Sequence, residues 1–355
     1  MRNSTLKKTA LSKLSTETWV GLYAAAAEVF ALKPWEIIPP DILLKTMHPL
    51  TGEPVFGSIM GEMGEVFGVS IQSGKWAEYS LMKAFAEGEE ELLVANFHRV
   101  LSFKIEFVKK VELSGTDKDR LKALAYKPPG GAKGACWPMI EVMKEGCVQC
   151  PPDVGDADII SELLPRFILM VRAIGEHAGD SPDRLPEGIA VWPEGRTVES
   201  PLQWEEIEWR PFETVPEPVC EVFPLDEFTA ARLKELPQVK QQIELDAFAG
   251  FASVGEGERA FFMKLGLALD TETEMVVGLE VGTSGTDLLE NIVGRLLVQV
   301  VSKLKARPTR ILLSQKSLLE ALRPVAEKLR IELRHQKHLP ALEQARASMP
   351  EHFGV

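Results

Sequence analysis

From about residue 227 the chain adopts one simple order of segments, and that order restricts its fold more than any other feature. A helix over 228–236 leads into "QQIELDAFAGFASV", which reads as a strand. "RAFFMKLGLALD" and "EMVVGLEVG" follow as two strands joined by the short turn "TETE". "TDLLENIVGRLLVQVVSKLKARP" sets Leu289, Val293, Leu296, Leu297, Val300 and Leu304 on one face of a long helix. "TRILLS" is a buried type of strand, "QKSLLEALRPVAEKL" a helix, "RIELRH" a strand and "PALEQARASM" a last helix. The expectation is three antiparallel strands, then helix, strand, helix, strand, helix.

The first half is less regular. "STETWVGLYAAAAEVFALKPWEII" is its clearest helix, with Ser15 or Thr16 as cap and Pro34 as terminator. Residues 54–71 read as two strands around "GEMGE", with Glu62 and Glu65 in the turn. A helix through "EGEEELLVANFHRVL", the strand "LSFKIEFV", a short helix from Thr116 to Ala125 and a strand over 137–142 come next. The helix over 156–174 contains Pro165, which is expected to kink or split it. Residues 180–226 are rich in proline, with two strand-like pieces, "GIAVW" and "WEEIEW". They read as an extended connection or as a small strand extension of the first domain. The expected divisions are a basic flexible tail over 1–14, an N-terminal α+β domain over 15–179, the connection over 180–226 and a C-terminal domain over 227–355.

"PVFGSIMGEMGEVFGVSIQSGKW", residues 54–76, holds five glycines and a Gly-Lys pair. A phosphate-binding P-loop needs four residues between its glycines and a hydroxyl residue after the lysine. Five residues separate Gly68 from Gly74, and Trp76 follows Lys75. Glycines in a hairpin instead permit tight turning, bulging or the close approach of another backbone. "EVGTSGTDLL" does run from strand to helix, the geometry that attracts anions. There Asp287 and Glu290 already occupy the first turn, with Thr286 or Ser284 available as caps.

The C-terminal order of segments resembles the ribonuclease-H-like topology. Separately, "LKPWE" and "SIMGEMGEVFGV", taken with "RPTRILLSQKSLLEALRPVAEKLRIELRHQKHLPALEQA", look like a two-part group of bacterial proteins of unknown function. That resemblance spans most of residues 16–350 and brings no functional residue with it. The fold class implied is α+β: an N-terminal α+β domain with a β-hairpin core, and a C-terminal three-layer ribonuclease-H-like α/β domain. Enzymes of ribonuclease-H-like type hold two metal ions about 4 Å apart on clustered carboxylates, since hard cations take oxygen ligands. Asp246 lies in the strand where the first acid belongs, but Ser314 and Gln315 stand where a second is expected. Asp270 ends the second strand, and Glu343 lies on the last helix. These three are the site residues of a hydrolase alternative.

Other constellations are incomplete. "CVQCPP" puts Cys147 and Cys150 at zinc-ligand spacing, and Cys136 adds a third candidate. A fourth ligand has to come from as far as Cys220 or His177, so the expectation is that no zinc is held. "RHQKHLP" carries His335 and His338 without a neighbouring carboxylate or cysteine. No GxSxG elbow is present.

Composition sets the outer bounds. Hydrophobic residues make 45% of the chain and charged residues 26%, as in globular proteins rather than disordered ones. No apolar run approaches the roughly 18 to 20 residues that cross a bilayer, and the N-terminus lacks the apolar stretch of a secretory signal. The expectations are no membrane partner and a cytoplasmic location. The net charge is −12, yet residues 288–355 are basic. That segment either docks an anion such as nucleic acid or faces acids of its own chain. All seven Trp and all three Tyr precede residue 210, so it lacks the Trp and Tyr stacking platforms common in single-strand binding. Nucleic acid is therefore disfavoured, a protein partner is open, and no cofactor is implied. The sequence reads as a non-catalytic binding or interaction protein.

Overall fold

The computed structural model describes residues 14–61, 64, 66–129, 135–179, 185–255 and 260–353. The expected turn residues Glu62 and Glu65, and all but the last residue of the expected basic tail, lie outside that set. The described residues form a mixed α/β structure with nine α-helices and two mixed sheets. They divide into two compact units, 1–144 with 149–216, and 145–148 with 217–355.

The first unit is built on α1 (Thr16–Leu32), β1 (Ile42–Met47), β2 (Pro54–Met60), β3 (Phe67–Ser73), α2 (Lys75–Glu87), α3 (Glu91–Asn96), β4 (Leu101–Lys109), α4 (Gly115–Ala123), β5 (Ala135–Met143), α5 (Val154–Ala178), β6 (Gly188–Val191) and β7 (Glu208–Arg210). Its sheet runs β5-β4-β3-β2-β1-β6-β7. Of the pairings described in it, β1–β6 alone is parallel. The Ser15 hydroxyl accepts from the Thr18 amide at 3.1 Å and starts α1. One sheet face, with Val55, Ile59, Ile71 and Phe103, packs under α1 and α5. The other, with Leu43, Phe56 and Ile189, packs on Leu81 and Met82 of α2.

The glycines of residues 54–76 serve this packing. A Cβ on Gly68 would lie 2.2 Å from the Ile105 carbonyl oxygen of β4, and one on Gly57 would lie 2.9 Å from the Phe167 ring of α5. They admit a neighbouring backbone and an aromatic ring, not a phosphate.

One local expectation needs correction, and two elements carry no clear signal in the sequence. α5 is one continuous helix across Pro165, neither split nor ended there. Leu163, Leu164, Phe167 and Ile168 are buried on both sides of the proline. At roughly 1.5–3 kcal/mol for each buried side chain, they outweigh a lost hydrogen bond and ring clash of about 3 kcal/mol. Sequence reading passed over β1, whose Ile42, Leu43, Leu44 and Thr46 are all buried, so no alternation marks it. It also passed over α2, which has no side-chain cap and buries Ala77 and Ser80 beside Leu81 and Met82, diluting the apolar stripe. The proline-rich stretch contributes β6 and β7 to the sheet.

The second unit comprises α6 (Glu227–Lys234), β8 (Gln238–Val254), β9 (Phe261–Asp270), β10 (Val276–Val281), α7 (Leu289–Leu304), β11 (Arg307–Leu313), α8 (Lys316–Leu329), β12 (Glu332–His335) and α9 (Pro340–Phe353). Its sheet runs β10-β9-β8-β11-β12. The first three are antiparallel in pairs, while β11 is parallel to both β8 and β12. Ile243, Leu245 and Ala247 face α7 and α8. Leu267, Leu269 and Leu312 face Leu339 and Leu342 at the start of α9. Residues 145–148 join this sheet: the Phe262 amide donates to the Gly146 carbonyl at 3.0 Å, and the Val148 amide to the Ala260 carbonyl at 3.1 Å.

Candidate functional site

The first candidate lies on β8. Strand alternation sends Glu244, Asp246 and Phe248 to the face covered by α9. Asp246 is 3% exposed. Its carboxylate accepts from the Ser314 hydroxyl, from Gln315 Nε2 at 3.1 Å and from the Ala247 amide at 2.9 Å. Gln315 also donates to the Ala247 carbonyl at 2.8 Å. Burial pushes the Asp246 carboxyl above its usual range, and these donors together with nearby Arg346 offset only part of that. Glu244 is likewise raised by burial, against the pull of the Leu342 and Ala341 amides. The Leu342 amide, in the first turn of α9, donates to Glu244 at 2.8 Å. The Arg346 guanidinium lies 4.0 Å from the Phe248 ring centroid.

The other acids do different work. Asp270 closes the β9–β10 turn, accepting from the Glu272 and Thr273 amides at 3.0 and 2.8 Å and from Gln241. Burial works to raise its pKa, but these donors prevail and leave it below the usual range. In register Asp270 opposes Ile243, three residues along β8 from Asp246, or about 10 Å of strand. Glu343 accepts from the Leu339 amide at 3.2 Å and pairs with His338 at 3.4 Å. The structure thus joins Asp246 to Ser314 and Gln315, as their places in the sequence suggest, but gives Asp270 and Glu343 separate partners.

The cysteines form no disulfide. Cys136 is buried on β5, and burial pushes its thiol up. Cys150 exchanges backbone hydrogen bonds with Val142 in the first unit, whereas Cys147 bridges to Phe261 in the second. His335 Nε2 lies 3.0 Å from the Ser314 carbonyl, and His338 is exposed. Among the described residues no group of three or more His, Cys, Asp or Glu is placed to hold a metal ion. In "EVGTSGTDLL" the cap differs from expectation. Leu288 is the N-cap of α7 without a side-chain bond, while Asp287 accepts from the Thr283 amide at 2.7 Å and closes the loop itself. The basic C-terminal segment meets acids: Arg310 and Arg334 pair with Glu332, Arg323 with Glu320 and Lys328 with Glu227.

The second candidate was not read from sequence. A cleft of about 860 Å³ opens in the first unit at the carboxyl ends of β1 and β6. Lys45, Thr46 and Met47 come from the end of β1, and Trp192 through Arg196 from the chain leaving β6. The Trp192 amide donates to the Lys45 carbonyl at 2.8 Å, extending the parallel pairing. Arg166, on α5, donates to the Thr46 hydroxyl at 3.3 Å, the Met47 carbonyl at 3.2 Å and Glu162 at 2.6 Å. Arg196 donates to Glu206 at 2.6 Å and to the Ser200 and Pro201 carbonyls at 3.3 and 2.5 Å. Lys45 pairs with Glu78 at 2.8 Å. These residues come from four separated stretches of chain. The parallel pairing of β1 with β6, the β6–β7 pairing and the Arg166 and Arg196 hydrogen bonds unite them, and no local motif encodes these.

Residues 19–185 match a domain of unknown function, DUF7309, and residues 229–350 match another, DUF6930. Two separate parts of the chain thus each match a domain of unknown function. No curated protein and no solved structure matches it. Among the described residues no helix is long and apolar enough to cross a membrane.

Proposed function

We propose that the chain is a non-catalytic binding or interaction protein, and that its C-terminal unit is a ribonuclease-H-like fold whose acidic position has become structural. The strand order, with three antiparallel strands followed by two parallel ones and helices on both faces, supports the fold assignment. Fold alone does not give activity. The observation that carries the functional reading is Asp246: buried, held by Ser314 and Gln315, and lying on the face covered by α9. A two-metal centre needs several carboxylate oxygens converging on open ligand positions. Here the oxygens of the first acid already accept hydrogen bonds, and the residues at the end of β11 are donors.

Metal titration followed by thermal unfolding tests this. A ligand at 100 times its dissociation constant stabilises by about 2.7 kcal/mol, which is readily seen. The expected result is no shift with magnesium or manganese at millimolar level, and no cleavage of DNA or RNA. Metal-dependent cleavage abolished by Asp246→Asn would establish the hydrolase alternative instead.

A further inference from the structure

We propose that the cleft between the ends of β1 and β6 is a binding site for a small amino-carboxylate of low net charge, such as a free amino acid or a dipeptide. The inference stands apart from the reading of Asp246 and holds whether or not that acid is structural. Its first support is position. Parallel strands leave a crevice beyond their carboxyl ends, where their connections diverge, and ligands of open α/β sheets sit there. Here the chain leaves β1 in a short return to β2, while the chain leaving β6 makes a long excursion through residues 192–207 before β7. That divergence opens the cleft, and its volume lies within the range that small ligands occupy.

The second support is the distribution of charge. The side chains of Arg166 and Arg196 are 18% and 17% exposed, whereas those of Glu206 and Glu208 are 36% and 59% exposed. Arg210 also lines the cleft, 51% exposed and paired with Glu208, so the deepest charges are cationic and the rim carries both signs. Arg166 is fixed by Thr46 and the Met47 carbonyl, so its guanidinium is oriented before any ligand arrives. Its acidic partner, Glu162, is 52% exposed. An exposed pair of this kind is worth at most about 1 kcal/mol, so an incoming carboxylate displaces Glu162 at small cost. On the rim Glu194 is exposed and makes no ion pair among the described residues, leaving it to receive an ammonium group. Met47, Val191 and Trp192 give the same cleft an apolar wall.

The third support selects against rival ligands. A chain of net charge −12 repels polyanions at long range, so a nucleotide or polyphosphate approaches against the field. Deep-set guanidiniums beneath a rim of mixed charge suit a molecule that carries both charges. Carboxylate on Arg166, ammonium on Glu194 and an aliphatic side chain along Trp192 satisfy the three kinds of lining together.

The test is calorimetric titration of the full chain with alanyl-leucine, its N-acetyl form, its C-terminal amide and inorganic phosphate. Alanyl-leucine is expected to bind. Each capped form is expected to bind about fivefold more weakly, the equivalent of one ion pair of about 1 kcal/mol. In Glu194→Gln the free and N-acetyl forms are expected to bind alike, while the amide remains weaker. In Arg166→Gln the free and amide forms are expected to converge. Because Arg166 also ties α5 to β1, the urea midpoint of that variant is measured alongside. If the variant unfolds, Glu194→Gln alone decides. Absence of binding at millimolar level, equal binding of all three peptide forms, or phosphate binding as tightly as alanyl-leucine overturns the proposal.

Discussion

The two sheets treat charged groups in different ways. The C-terminal sheet carries Glu244 and Asp246 into its interior and fills their oxygens with amides, a hydroxyl and a carboxamide. The N-terminal sheet carries Lys104, Glu106 and Glu141 in mid-strand with Lys104 paired to Glu106, and at the ends of β1 and β6 it meets Arg166 and Arg196, oriented by neighbours but still partly in water. A buried carboxyl whose oxygens already accept hydrogen bonds is costly to strip of them and offers a cation few open positions. A guanidinium held by carbonyls at the edge of solvent is preorganised and still available. The binding site proposed for the cleft between β1 and β6 rests on that contrast.

The contrast breaks most sharply at the spine of the N-terminal sheet. If its interior is as closed as described, Gly68→Ala forces a Cβ against the Ile105 carbonyl and costs about 3 kcal/mol or more in urea unfolding, at the top of the overpacking range. Next in size is the C-terminal acid. Asp246→Ala strands the Ser314 hydroxyl and the Gln315 carboxamide and is expected to cost about 2–3 kcal/mol, while Asp246→Asn, which still accepts from one donor, costs less than about half of that.

The pH dependence sharpens the same point. A carboxyl whose folded pKa is raised binds its proton more tightly folded than unfolded. Its contribution is therefore fully present below the unfolded value near 3.9, and is lost as pH rises through the folded value. Thermal unfolding of the parent and Asp246→Asn should diverge in the variant's favour as pH rises above about 4. Unchanged spacing between the two curves across the acid range argues that Asp246 is not proton-linked to folding. The smallest effect is expected at the rim of the cleft. Glu194→Gln should leave the unfolding midpoint where it is, because the side chain is exposed and joins no ion pair among the described residues.

Much of the C-terminal unit was legible because its strands and helices follow one another with clear periodicity. Asp246, Ser314 and Gln315 were named from their places in the strand order, and the structure bonds them together. What the sequence hid was the protonation-favouring burial of Asp246 under α9, a property of layer packing rather than of β8 itself. The N-terminal unit was less legible. β1 is buried on both faces and shows no alternation, and α2 presents alanine and serine to the core. Since β1 also supplies half of the parallel pair, passing over it concealed the cleft. Arg166, Trp192 and Arg196 carry no motif and line one cleft only because strands more than a hundred residues apart pair.

Diffraction from crystals soaked in manganese tests the central claim most directly. The account predicts no anomalous peak near β8, with Ser314 and Gln315 still bonded to Asp246. A peak at metal–oxygen distance, about 2.1 Å, from the Asp246 carboxylate would contradict it.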